Sequence, residues 1–171
     1  MTGEGIRKCQ EALKIAIRIK PDYADAYATL AYTYFLQGNI DEAIRLYRET
    51  LRIDPSNTEA LINLGNIYYS QGKVMEAFEQ FNNAVYYRPS LPVAQNNLGN
   101  VYLKLGNVDN AIAHLAIAVA YDSTYAQAYY NLGRALQARG NINEAEASFN
   151  KAFRLDPELK KPQRRGDTEK K

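Results

Sequence analysis

The feature that most constrains this chain is a short motif that returns at a fixed interval of 34 residues. The letters NLGN at residues 63–66 recur at 97–100, and a third copy, NLGR, occupies 131–134. A period of this length is typical of arrays in which each repeat is one small supersecondary unit that stacks on its neighbours. The meaning of each residue therefore depends on its position within the repeat.

Turn residues divide each repeat into a helix, a glycine turn, a second helix and a proline turn. The turn residues on the period are Gly38, Gly72, Gly106 and Gly140, then Pro21, Pro55, Pro89 and Pro157, with Ser123 where one proline would stand. Glycine tolerates the left-handed backbone that ends a helix, and proline cannot continue one. We predict that Asp22, Ser56, Ser90 and Thr124 are the N-caps of the first helices and that Asp41 caps a second helix.

Small residues in the middle of the helices predict close packing between paired helices. A mid-helix glycine costs about 1 kcal/mol relative to alanine, so it needs a packing reason. Such glycines are Gly65, Gly99 and Gly133, with Ala31 in the first copy; the second helices carry Ala43, Ala77, Ala111 and Ala145, and large residues at Tyr47, Phe81, Leu115 and Phe149. Because one repeat cannot bury this surface alone, stability is expected to come from stacking.

This pattern of turn glycines, small helix residues and prolines resembles the tetratricopeptide repeat, a 34-residue helix-turn-helix. The resemblance implies an all-α fold, a right-handed superhelix (α-solenoid) of stacked antiparallel helix pairs, whose first helices line a concave peptide-binding groove. It divides the chain into the second helix of an incomplete repeat at 1–23, repeats at 24–57, 58–91, 92–125 and 126–159, and a basic tail at 160–171 that we predict to be disordered.

The C-terminal end departs from the family pattern, because the polar helix that usually caps such an array is missing after Pro157. An apolar end face around Phe149, Phe153 and Leu155 is therefore predicted to be exposed. Two explanations stay open. The chain is a segment of a longer array, or this face is covered by a partner or by a second copy of the chain.

Composition excludes several classes of function. No run approaches 18 apolar residues and no secretory signal is visible, so we expect a cytoplasmic protein without a membrane span. Cys9 is the only cysteine, which excludes an internal disulfide and a cysteine-based metal site. The net charge is +2, but the basic residues from Lys160 onward account for this excess, so the repeats are not expected to bind nucleic acid.

No catalytic constellation is present in the sequence. His114 is the only histidine and has no cysteine at a ligand spacing, and Cys9 stands where the other repeats carry alanine. The glycines lack the preceding strand of a phosphate-binding loop. We therefore predict that the protein is not an enzyme and has no cofactor and no metal site.

The first helices carry an amide-rich face with little charge, which is predicted to line the groove. The predicted peptide-binding residues are Asn63, Asn66, Asn97, Asn100, Asn131 and Arg134, with apolar contacts from Phe35, Tyr69 and Leu103. Some co-chaperones of the family grip a C-terminal carboxylate with lysine and arginine, but Ile62, Gln127 and Asn131 stand at those positions here. A chaperone-tail clamp is therefore not expected.

The asparagines at the repeated position, Asn63, Asn97 and Asn131, resemble the asparagine ladder in the repeat domain of O-linked N-acetylglucosamine transferases. That ladder holds an extended peptide by its backbone, and an asparagine amide can pair with both a peptide N–H and a C=O. The alternative, that these are ordinary solvated asparagines, stays open.

The sequence thus predicts a non-enzymatic protein-interaction scaffold that binds an extended peptide segment of an unidentified protein partner. Two alternatives stay open. One is the substrate-recruiting segment of a larger enzyme such as a glycosyltransferase. The other is a scaffold that self-associates through its uncapped ends.

Overall fold

The computed structural model describes residues 3–160, and within this range the chain is helical, with no strand. The α-helices are α1 (Gly3–Ile19), α2 (Ala24–Leu36), α3 (Ile40–Ile53), α4 (Thr58–Ser70), α5 (Val74–Tyr87), α6 (Pro92–Lys104), α7 (Val108–Tyr121), α8 (Ala126–Arg139) and α9 (Ile142–Leu155), and a short 3-10 helix, η1, spans Pro157–Lys160. The all-α prediction is confirmed for this range. Most of the predicted basic tail, from residue 161 on, lies outside the described residues.

The chain forms two compact units, Met1–Pro89 and Ser90–Lys171. In the first unit, α1 packs on α2, α2 pairs with α3, α3 contacts α4, and α4 pairs with α5. Its core contains Leu46, Tyr47, Leu64 and Phe81, each almost fully buried. The helices α2 and α4 are the first helices of the repeats predicted here, and α3 and α5 are the second helices.

The second unit is built in the same way from α6, α7, α8 and α9. The helix α6 pairs with α7, α7 contacts α8, α8 pairs with α9, and η1 packs on α9. Leu98, Val101, Leu115 and Ala118 are fully or almost fully buried at its centre. The first helices here are α6 and α8, and the second helices are α7 and α9.

The predicted glycine turns are confirmed. Each turn between a first and a second helix has a glycine in the left-handed region, with φ of 78° at Gly38 and 92° at Gly140. No other residue in the described range has a positive φ of this kind except Gly72 and Gly106, at the equivalent turns. Because a side chain is strained there, the period in the sequence fixes where each helix pair reverses direction.

The predicted N-caps are wrong by one or two residues. The residues at the N-cap positions of the first helices are Tyr23, Asn57, Leu91 and Tyr125, and Asn39 rather than Asp41 precedes α3. Of the four first-helix N-caps, only Asn57 accepts a hydrogen bond through its side chain, from the N–H of Ala60 at 2.9 Å. The residues one position earlier are therefore not the N-caps of these helices.

Two of the predicted caps act in the preceding turn instead. The Asp54 carboxylate, just after α3, accepts from the backbone N–H of Ser56 at 3.0 Å and from its hydroxyl at 2.7 Å. Asp122 after α7 accepts from Thr124 in the same way, at 2.9 and 2.7 Å. These serine and threonine side chains donate to an aspartate two residues earlier, so they stabilise the turn rather than the helix that follows.

The predicted packing of the mid-helix glycines is confirmed. A β-carbon added at Gly65 would lie 2.6 Å from the Phe81 ring, and one at Gly133 would lie 2.7 Å from the Phe149 ring. The facing alanines of the second helices, such as Ala77 and Ala145, are buried. The glycines thus let a large side chain of the second helix seat directly against the backbone of the first.

The predicted exposure of the C-terminal end face is wrong in degree. Phe149, Phe153 and Leu155 are half-buried rather than exposed. The Phe149 and Phe153 rings stack with 6.1 Å between centroids, Tyr130 packs against both, and the Lys160 ammonium of η1 lies 5.8 Å from the Phe153 ring centroid. The turn after Pro157 therefore covers part of the surface that the sequence left open.

Candidate functional site

The first-helix face of the first unit carries three exposed aromatic side chains, which we name the aromatic face: Tyr32 and Phe35 on α2 and Tyr69 on α4. Their exposed fractions are 43%, 41% and 38%. The Tyr32 and Phe35 rings are stacked, with 6.4 Å between centroids and 22° between planes. Large aromatic side chains left in solvent on one face are typical of binding surfaces, because contact with a ligand would bury their area.

Sequence reasoning identified two of these three residues. Phe35 and Tyr69 hold the same repeat position and were predicted to contact peptide. Tyr32 was missed, although it stands at the repeat position that Asn66 holds one repeat later. That correspondence could have placed Tyr32 on the predicted binding face, since equivalent positions of successive first helices face the same way.

The two predicted asparagines of the first unit differ in accessibility. Asn66 is exposed and Asn63 is half-buried. The hydroxyl of Tyr47 on α3 is fully buried and has no hydrogen-bond partner among the described residues. Burial raises the pKa of Tyr47 far above its usual value, with a further increase from the negative charge of Glu59. The Asn63 side chain opposes part of this rise in the pKa of Tyr47.

The second unit places its amides in a buried network instead of an open row. The Asn131 side-chain NH2 donates to Asn96 Oδ1 at 2.8 Å, and Asn131 Oδ1 accepts from Gln127 Nε2 at 3.2 Å. Asn96 donates in turn to Asn97 Oδ1 at 3.1 Å. Asn131 and Asn96 are only 2% and 3% exposed. The sequence-based expectation that Asn131 is open to a peptide therefore disagrees with the structure, because α6 and α8 use this amide to bond to each other.

The other predicted site residues of the second unit remain closer to solvent. Arg134 on α8 is exposed, whereas Asn97, Asn100 and Leu103 on α6 are half-buried. These positions lie on the first helices, as predicted. Their role in binding stays a prediction.

His114 contacts two side chains within the second unit. Its Nδ1 lies 2.7 Å from the side-chain oxygen of Gln95, which is itself buried, and its ring stacks on Tyr102 with 5.3 Å between centroids. Burial lowers the pKa of His114.

Within residues 3–160, no group of three or more His, Cys, Asp or Glu side chains is arranged to hold a metal ion. In the same range no helix has the length and apolarity to cross a membrane.

Stacked helix pairs, glycine turns and an exposed first-helix face together define a tetratricopeptide-repeat protein, and family comparison agrees. One model described as TPR repeat matches residues 31–72 and 65–106, and two models described as tetratricopeptide repeat match residues 90–158 and 12–45. These matches cover most of the chain, so the chain belongs to the tetratricopeptide-repeat family. No protein of curated function has significant sequence similarity to it.

Solved structures similar to this one share its fold. A structure of MamA has a TM-score of 0.75 at 23% identity, covering 88% of this chain and 88% of that chain. PilF of Pseudomonas aeruginosa has a TM-score of 0.79 at 21% identity, covering 89% of this chain and 69% of that chain. PilW, described as a type IV pilus biogenesis factor, has a TM-score of 0.74 at 24% identity, covering 90% and 71%. At this level of identity the likeness confirms the all-α, solenoid-type fold class and nothing more specific.

Proposed function

We propose that this protein is a non-enzymatic interaction module that binds an extended peptide segment on its first-helix face. The observation that carries the proposal is the aromatic face of the first unit. Each of its three side chains is more than a third exposed, although aromatic side chains of this size normally gain from burial. A peptide laid across α2 and α4 would cover them.

Side-chain amides of the same face supply the polar contacts. Asn63 and Asn66 lie on α4, the helix that carries Tyr69. An amide can donate to a peptide C=O and accept from a peptide N–H whatever the peptide side chains are. Each such contact contributes about 0.5 to 1.5 kcal/mol, so the aromatic contacts have to supply most of the affinity. Binding is expected to be micromolar and tolerant of peptide sequence.

The asparagine ladder is retained in this proposal only in a reduced form. Asn63 on α4 and Asn97 on α6 hold the ladder position, and each is a candidate for a peptide contact within its own unit. The proposal leaves Asn131 out of the peptide contacts, because its side chain is buried and bonds to Asn96 and Gln127.

The test begins with selection of peptides that bind the full chain from a displayed random library. The affinity of the best peptide is then measured by fluorescence anisotropy for the parent and for a variant carrying Phe35→Ala and Tyr69→Ala. We expect this pair to weaken binding by at least about tenfold, which corresponds to roughly 1.4 kcal/mol.

A matched control carries Met75→Ala and Tyr86→Ala on α5. These side chains are 61% and 76% exposed in the same unit but lie on a second helix. The control is expected to bind like the parent. Equal loss in both variants, no loss in the test variant, or a library that yields no binder would contradict the proposal.

A further inference from the structure

A cavity on the second-helix side of the first unit differs in character from the aromatic face. It has a volume of about 580 Å³ and lies between α3, the end of α4 and the turn into α5. Its lining carries four cations, Arg45, Arg48, Arg52 and Lys73, against two carboxylates. The side chain of Tyr68 and that of Ile44 add apolar surface.

The four cations of this cavity fall into two pairs that differ in how they are compensated. Arg45 Nη2 lies 2.6 Å from the Glu42 carboxylate, and Arg52 Nη2 lies 2.7 Å from that of Glu49. Both are ion pairs along one helix face, at i and i+3. Their charges are largely neutralised, so they contribute little to the attraction of an outside anion.

Arg48 and Lys73 are the uncompensated pair, and Tyr68 brings them together. Arg48 donates to the Tyr68 hydroxyl through Nε at 3.1 Å and Nη2 at 2.8 Å. The Lys73 ammonium lies 5.9 Å from the centroid of the same ring. Among the described residues, no carboxylate lies within 4.0 Å of either cation. Tyr68 itself is only 4% exposed, so it is a fixed anchor rather than a mobile surface group.

We infer that this cavity binds a short acidic peptide segment, with a carboxylate on Arg48 and Lys73. A guanidinium already held by a tyrosine hydroxyl loses little freedom on pairing with a carboxylate, and charge-assisted hydrogen bonds are stronger than neutral ones. The cavity is large enough for more than one side chain, and the half-buried Ile44 can receive an apolar residue beside the acid.

Charge on the flanks favours a short acidic segment over an extended polyanion. An adjoining cavity of about 420 Å³ shares Arg48 and Tyr68 but is bounded on its α5 side by Glu76 and Glu79. Asp41 lies on the rim of the first cavity. A nucleic acid strand or an anionic membrane would meet these carboxylates, whereas a single acidic side chain would not.

The test uses a labelled peptide in which one leucine is flanked by aspartate and glutamate, and its isostere with asparagine and glutamine. Binding to the full chain is measured by fluorescence anisotropy, and the Arg48 Nε–H signal is followed by NMR. We expect saturable binding of the acidic peptide with a shift of that signal, and no shift with the neutral isostere. The variant Arg48→Gln with Lys73→Gln should bind at least about tenfold more weakly.

The matched control, Lys104→Gln with Arg154→Gln, removes the same charge from exposed positions of the second unit. It should bind the acidic peptide like the parent, and circular dichroism should show all three proteins equally folded. Equal binding of both peptides, or equal loss in both variants, would overturn the inference. So would a shift of the Arg48 signal by a single-stranded oligonucleotide or phosphatidylserine vesicles with none from the acidic peptide.

Discussion

The backbone of Gly99 on α6 lies directly against the side chain of Leu115 on α7. A β-carbon placed on Gly99 would lie 2.7 Å from Leu115 Cγ and 3.3 Å from the carbonyl oxygen of Ala111. The first of these contacts is shorter than van der Waals packing permits. The two helices of this pair are therefore as close as they are because residue 99 has no side chain.

We predict that Gly99→Ala destabilises the protein although alanine is the better helix former. The gain of about 1 kcal/mol in helix propensity is opposed by an overpacking cost of about 1 to 3 kcal/mol, and the rigid environment of the buried Leu115 favours the larger loss. Chemical denaturation followed by circular dichroism measures the difference. Combining Gly99→Ala with Leu115→Ala should cost less than the sum of the two single changes. Strict additivity would show that the two residues do not clash.

We predict that Tyr47→Phe stabilises the protein, because the Tyr47 hydroxyl is buried without a hydrogen-bond partner among the described residues. An unsatisfied buried polar group costs about 1 to 3 kcal/mol. Tyr47→Phe removes that group and keeps the ring, so the free energy of unfolding is expected to rise by about 1 kcal/mol. The melting temperature and urea midpoint check this. A lower midpoint would mean that the hydroxyl is bonded in solution.

Asn131 is expected to matter for stability. Asn131→Ala would leave the Asn96 oxygen and the Gln127 amide without their partner inside the second unit, at a cost of about 1 to 3 kcal/mol. Urea unfolding of this variant should show the loss. Gln137→Ala, at an exposed position of the same helix, serves as the control and should unfold close to the parent. Equal stability of both variants would contradict the network.

Asn63 is expected to matter for binding. Asn63→Ala should weaken the binding of the peptide obtained from the displayed library by about 0.5 to 1.5 kcal/mol, since one amide contact is lost. Isothermal calorimetry measures the affinity, and circular dichroism checks that the fold is retained. Unchanged affinity would leave Asn63 as an ordinary surface amide and would move the polar contacts to other residues.

We predict that the protein loses stability in mild acid because of His114. Burial holds its pKa in the folded protein below the ordinary value of 6.5. The unfolded chain therefore takes up the proton first, so the stability linked to this group is present above about pH 6.5 and falls as the pH drops below it. Urea unfolding at about pH 7.5 and about pH 5.5 should show a larger loss for the parent than for His114→Gln. The same loss in both proteins would assign the pH dependence to other groups.

Several features of this fold followed from the sequence because local rules fix them. The left-handed backbone at Gly38 and its equivalents admits few residues other than glycine, so their spacing revealed where each helix pair turns. Gly65, Gly99 and Gly133 revealed the close helix contacts, because mid-helix glycine is unfavourable without one. Most of the aromatic face followed too, since equivalent repeat positions share a face.

Only the tertiary structure decided what the polar side chains do. Asn131 holds the same repeat position as Asn63, but its side chain bonds to Asn96, which lies 35 positions away in the sequence. This bond is part of an amide network that removes Asn131 from solvent. The sequence predicts that Ser56 and Thr124 are N-caps, but their hydroxyls donate hydrogen bonds to the aspartate two residues earlier. Arg48 and Tyr68 are 20 positions apart and meet only when α3 packs on α4. Periodicity determines which way a side chain points, whereas its hydrogen-bond partner depends on which other helix is packed there.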